Sequence, residues 1–198
     1  MGSPIIQPGD PDWVISTMMA GRDSEGNFRN TRIDDDGDLV GITRPHMEVH
    51  QGNYWTAAVR LDAVANDASV YLLIEPATKE AHTILSLQAG AACWADLFLA
   101  PTITGVGTEI TPMSHNRVID VAPVTKIYHT PTIGAVGTPG PTFLITGGEK
   151  TTAVGGGLRS GDEMIFAPGT KTLMRITSKA GAAVVISVGF SVEWYEED

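Results

Sequence analysis

From Val184 to Trp194 the chain alternates without a break. Val184, Ile186, Val188, Phe190, Val192 and Trp194 fall on one face of an extended strand, and Ser187, Gly189, Ser191 and Glu193 fall on the other. A period of two held over that length describes an antiparallel strand with one face in a core and the other outside it. Such a strand needs partners of the same kind. The chain supplies them at 54–61, 69–75, 81–88, 92–99 and 171–178, each rich in β-branched and aromatic residues and bounded by turn formers. No segment carries a helical stripe of ten or more residues. The expected fold is all-β: an antiparallel β-sandwich of jelly-roll type.

The first 42 residues read differently. A short apolar run begins at Trp13, and the steps Glu25-Gly26-Asn27 and Asp35-Asp36-Gly37-Asp38 are turn chemistry between short extended pieces. This predicts a short N-terminal β-hairpin arm over residues 1–42, joined to a sandwich body over 43–198. Within the body, Pro101-Thr-Ile-Thr-Gly-Val-Gly-Thr108 is nearly repeated as Pro131-Thr-Ile-Gly-Ala-Val-Gly-Thr138. Each copy sets an extended Pro-Thr-Ile run before a bend that only Gly makes cheaply. A duplicated loop of this sort reads as scaffold, and the two copies are expected at corresponding strand edges near one end of the sandwich. The Gly-, Thr- and Pro-rich stretch from Pro131 to Gly157 reads as a long displayed loop or subunit contact.

Composition narrows the functional classes. The formal net charge is -10 and no Lys/Arg cluster is present, which argues against nucleic acid as a partner. No apolar run approaches the ~18 residues of a membrane span, and the first residues lack the basic and apolar regions of a signal peptide. The single cysteine, Cys93, rules out an intrachain disulfide. Its alternation with Ala95, Leu97 and Leu99 predicts a buried, inert thiol.

Candidate chemistry is sparse. His46 and His50 are four apart, the spacing at which two imidazoles share one face of a helix and chelate a metal. The neighbouring pattern is strand-like, and on a strand the two would stand about 13 Å apart. A cupin-like metal centre would add His82 or His115 from other strands. Asp34, Asp36 and Asp38 alternate as in a calcium loop, but Leu39 and Pro45 stand where such a loop needs Gly and Glu. No Gly-x-Ser-x-Gly elbow occurs. The acidic end from Glu193 to Asp198 reads as solvated, with Trp194 and Tyr195 as alternative interface anchors. No catalytic residue, cofactor or metal is expected.

The order of landmarks along the body resembles that of a set of tailed-bacteriophage virion structural proteins. Those landmarks are His46-x-x-x-His50-x-Gly52, Lys79-Glu-Ala-His82, Gly107-Thr108 leading to Asn116-Arg117, Gly137-Thr138, Gly155-Gly-Gly157 and Glu193-Trp-Tyr-Glu196. The resemblance covers roughly residues 44–196. The front, with Asp23-x-x-Gly-Asn-x-Arg29 and Asp36-Gly-Asp-Leu39, is similar to short hairpin leaders on phage structural proteins. Where similar chains carry a Tyr-Glu pair after the Trp94 strand, this one has Leu99-Ala100. The resemblance implies a non-enzymatic, capsid-decorating β-sandwich located in the virion. It would assemble as a homo-oligomer, a trimer by preference, and bind the major capsid protein or other virion proteins. Trp13, Ile15, Phe28 and Arg29 are the expected docking residues of the arm. A neck or tail position is the nearest alternative. A glycan-binding adhesin module, with Tyr54, Trp55 or Trp94 as a stacking platform, and a cupin-like metalloprotein are alternatives of other classes.

Overall fold

A computed structural model of the protein describes residues 20–22, 28–30, 44–119, 121–146, 156–159, 163–181 and 184–197. The chain divides into two units, Met1–Thr43 and Arg44–Asp198. In the first, β1 (Ala20–Arg22) and β2 (Phe28–Asn30) pair antiparallel, with Arg22 opposite Phe28. In the second, α1 (Arg44–Gln51) leads into β3 (Tyr54–Ala65), β4 (Ser69–Glu75), β5 (Glu80–Ala89) and β6 (Cys93–Leu99). There follow β7 (Thr102–Gly105), β8 (Thr108–Glu109), β9 (Met113–Ser114), β10 (Lys126–His129), β11 (Thr132–Ala135) and β12 (Thr138–Ile145). The chain closes with β13 (Gly156–Arg159), β14 (Met164–Phe166), β15 (Thr172–Ser178) and β16 (Val185–Glu197).

Two antiparallel sheets result. The first runs β12-β6-β15-β4-β10-β8, and the second β13-β5-β16-β3-β9 with β14 also on β5. Consecutive strands from β3 to β6 alternate between the sheets, as do β14, β15 and β16. Four strands of each sheet, β3-β16-β5-β13/β14 and β4-β15-β6-β12, therefore follow the jelly-roll order. The apolar alternation explains the packing. Ile186, Val188, Phe190, Val192 and Trp194 are all buried, as are Trp55 and Ala57 on β3 and Leu72 and Ile74 on β4. Trp55 and Trp194 face each other across β3 and β16 with ring centroids 5.9 Å apart. Each ring buries enough apolar area to contribute about 2–3 kcal/mol, and the pairing adds about 1 kcal/mol.

Two expectations need correction. The acidic end is not a solvated tail, because β16 pairs through Glu197 with β5 and through Tyr195 with β3. Trp194, Tyr195 and Glu196 are consequently buried within the body. The stretch from Pro131 is not one long loop either. Residues 132–135 and 138–145 form β11 and β12, and β12 is an edge strand whose register slips between Pro139 and Thr142. Proline is tolerated there because an edge strand leaves amide positions unpaired. Residues 147–155 lie outside the described residues.

The twin octapeptides do leave corresponding strands, β6 and β10, but they do not stay at the edge. β7 and β11 pair antiparallel with each other, and Ile103, Ile133 and Val136 pack on Leu73, Phe98 and Leu173. Those three belong to β4, β6 and β15, so the ribbon covers the outer face of the first sheet. The two copies exchange contacts reciprocally. A Cβ on Gly107 would stand 2.3 Å from the carbonyl oxygen of His129, and one on Gly137 would stand 2.3 Å from that of Leu99. Both glycines have positive φ, +87° and +89°. The facing backbone is left-handed too, at Thr130 (φ 52°) and Ala100 (φ 51°), each just before the proline of its copy. Thr138 then pairs with Leu99 as Thr108 pairs with His129, thirty residues apart in both partners.

Gly107→Ala and Gly137→Ala are each expected to destabilise the protein by about 3 kcal/mol or more, because strain and a backbone clash coincide. Gly169→Ala, at φ +69° with nothing within 4 Å, is expected to cost only about 1–2 kcal/mol. Urea denaturation of the three variants measures the difference.

Candidate interaction surface

The second unit begins with α1, where the sequence pattern reads as strand. The eight residues are shorter than any apolar stripe that would announce a helix, and tertiary contacts fix them instead. Pro45 sits in the first turn, where its missing N–H costs nothing. Gly52 ends the helix at φ +80°, its N–H donating to the Val49 carbonyl while that of Asn53 donates to Glu48. A Cβ at Gly52 would stand 2.7 Å from Cγ2 of Ile119, so the cap is also a point of close approach. Glu48 is buried, and its carboxylate accepts from Asn53 Nδ2 at 3.4 Å.

Ile119 belongs to the segment between β9 and β10, of which Asp120 lies outside the described residues. Its backbone is fixed by three polar side chains. Asn116 donates through Nδ2 to the His50 carbonyl at 3.0 Å, and its Oδ1 accepts from the amides of Val118 and Ile119 at 2.9 and 3.1 Å. Trp55 Nε1 donates to the Val121 carbonyl at 2.9 Å. The buried Glu196 carboxylate accepts from the amides of Val124 and Thr125 at 3.1 and 2.6 Å. Apolar side chains carried by this anchored backbone are left exposed: Val118 is 93% exposed, and Met113, Ile119 and Val121 are exposed as well, with Ile119 also approaching Gly52 through Cγ2. Isolated exposed apolar residues are ordinary. A cluster of them on a fixed backbone is what contact surfaces present.

The flanking sheet faces differ from this corner. On the outer face of the second sheet, His115, Tyr54, Tyr195 and His82 form a row of rings across β3, β16 and β5. His115 meets Tyr54 edge-on at 4.8 Å, and His82 stacks on Tyr195 at 4.6 Å. Farther along that face, Ala58, Arg60, Ser86, Gln88, Gly189 and Ser191 border a shallow trough of about 310 Å³. On the outer face of the first sheet, Trp94 lies opposite Leu144, and both are exposed. Beside them Arg175 binds Asp96 at 2.7 Å and lies 4.8 Å over the Phe98 ring.

The predicted residues fall as follows. Trp13, Ile15 and the Asp34, Asp36 and Asp38 trio lie outside the described residues. Phe28 and Arg29 occupy β2, opposite Arg22 and Gly21. Tyr54 and Trp55 are buried and offer no stacking platform, which leaves Trp94. His82 and His115 stand at opposite ends of the ring row while His46 and His50 sit on α1, so the four do not converge as a cupin-like centre. Among the described residues no three metal-ligating side chains cluster. Cys93 is buried, and that burial pushes its thiol pKa up. Of the anchors, Trp55 reads from sequence only as a strand residue and Glu196 only as part of a solvated end; their loop contacts carry no local signal. Asn116 does stand among the landmarks of the resemblance. Comparison with family models, curated proteins and solved structures returned no match.

Asn116→Ala removes the acceptor of two amides and a donor to α1. It is expected to cost about 1–3 kcal/mol and to speed hydrogen exchange at Val118 and Ile119, read by NMR. Val118→Ser, on the same segment but pointing to solvent, is expected to leave the melting temperature unchanged within about a degree.

Proposed function

We propose that the protein is a capsid-decorating structural protein of a tailed bacteriophage, without enzymatic activity, that binds the head surface as a homo-oligomer, a trimer by preference. The observation that carries this reading is the anchored corner at Met113–Val121, where polar side chains fix the backbone and apolar side chains are left exposed. A protein whose work is mechanical needs such a contact surface more than it needs a cavity. The landmarks behind the phage resemblance support the reading in a second way. Gly52, Gly107, Gly137, Asn116 and Glu196 hold backbone joints of the body, as scaffold residues do. The net charge of -10 favours solubility at the high local concentration of an abundant component. The partners are the major capsid protein or other virion proteins, and the arm over residues 1–42, with Trp13, Ile15, Phe28 and Arg29, docks on the shell or on a sister subunit.

Quantitative mass spectrometry of purified particles tests the assignment. Hundreds of copies per particle are expected, whereas about a dozen or fewer would move the protein to the neck or tail. A chain lacking residues 1–42 is expected to fold and fail to join particles, and normal incorporation would remove the arm from the mechanism. A glycan-binding role retains one specific support, the exposed Trp94 beside Leu144. Binding on a glycan array that Trp94→Ala abolishes would favour that role over decoration.

A further inference from the structure

On α1 the two imidazoles separated by one helical turn meet. His46 Nε2 and His50 Nε2 are 2.9 Å apart, the ring centroids are 4.7 Å apart, and both side chains are exposed. We propose that His46 and His50 form a two-imidazole clip for a late first-row divalent cation such as Zn²⁺, Ni²⁺ or Cu²⁺. Two nitrogens bound to one such ion at about 2.0–2.1 Å stand about 2.9–3.4 Å apart, for angles between a right angle and the tetrahedral value. The observed separation therefore needs little rearrangement. At this distance the nitrogens share one proton, with one ring donating and the other accepting through its lone pair. When a cation binds, the donating ring adopts the tautomer with its proton on Nδ1, so both neutral imidazoles turn an Nε2 lone pair to the ion.

Ligand type selects the metal. Neutral imidazole suits Zn²⁺, Cu²⁺ and Ni²⁺, whereas Mg²⁺ and Ca²⁺ prefer oxygen. With no third protein donor gathered there among the described residues, solvent completes the coordination sphere, and the clip is weaker than a closed structural site. Position gives the clip a consequence. The His50 carbonyl is the acceptor for Asn116, so an ion joining the two turns of α1 also steadies the support of the Met113–Val121 corner. The clip does not rest on the virion reading and holds for the protein in any role.

The test is calorimetric titration of the full chain, stripped with EDTA, with Zn²⁺, Ni²⁺ and Mg²⁺ in turn. One Zn²⁺ or Ni²⁺ per chain and no response to Mg²⁺ are expected. His46→Gln and His50→Gln should each weaken binding at least tenfold, while His129→Gln leaves it unchanged. Both histidines point to solvent, so the melting temperature in EDTA should stay that of the parent. A double variant, His50→Gln with Gln51→His, keeps two imidazoles on α1 but moves one off the shared face, and it too should lose the site. Electron paramagnetic resonance of the Cu²⁺ form should show two nitrogen ligands, reduced to one or none in either single variant. Absence of binding by Zn²⁺, Ni²⁺ and Cu²⁺, or equal affinity in the parent and both single variants, would overturn the clip.

Discussion

The body depends on β16. It is hydrogen-bonded along nearly its whole length to β3 on one side and β5 on the other, so the body's last described strand closes the sheet that β3 begins. Its inner face supplies five buried apolar side chains from Ile186 to Trp194, and the opposite sheet can pack only on a face that is apolar throughout. Its outer face and its end carry a second set of obligations. Tyr195 lies between Tyr54 and His82 in the ring row, and Glu196 reaches the amides of Val124 and Thr125. The same strand thus fixes the core and one foot of the exposed corner.

The first sheet meets a different problem. Leu73, Phe98 and Leu173 give its outer face an apolar centre, which would face water in a bare jelly roll. The duplicated octapeptides resolve this by pairing with each other as a ribbon laid over that centre. Reciprocity explains why the repeat is close but not perfect. Pro101 and Pro131, Ile103 and Ile133, and Gly107 and Gly137 fill equivalent places on either side of the Leu73–Leu173 pair, whereas Thr104 and Gly134 differ. Gly134 has Thr102 and Thr104 methyls at 3.3 and 3.2 Å from where a Cβ would be. The position opposite has room for a side chain.

Much of this architecture is legible in the sequence because strand alternation is a local signal. β4 spans 69–75 as the pattern predicts, and β3, β5, β6, β15 and β16 each carry their own apolar face, whereas the Gly-, Pro- and Thr-rich edge strand β12 carries no such mark and reads as loop. The jelly-roll order follows once strands of that number and spacing must share one core. What stays hidden is non-local. Nothing in Pro101–Thr108 says that its partner is Pro131–Thr138 rather than a neighbouring edge, and nothing in Glu196 says that it ends in a loop's amides. Trp55 reads equally well as a platform for sugars and as core. Only its register opposite Trp194 decides for the core, with its indole N–H turned to Val121.

The helix α1 shows how a small error of element changes chemistry. His46 and His50 placed on a strand are two unrelated side chains; on a helix they are one site. The strand reading followed from extending the pattern of β3 backward through Gly52, where the positive φ and the close approach of Ile119 in fact impose a break. That break is also what brings His50 beside Asn116, and through it beside the exposed segment from Val118 to Val121. Helix, cap and corner are therefore one mechanical unit, and a change in the order of α1 is felt at the exposed apolar corner.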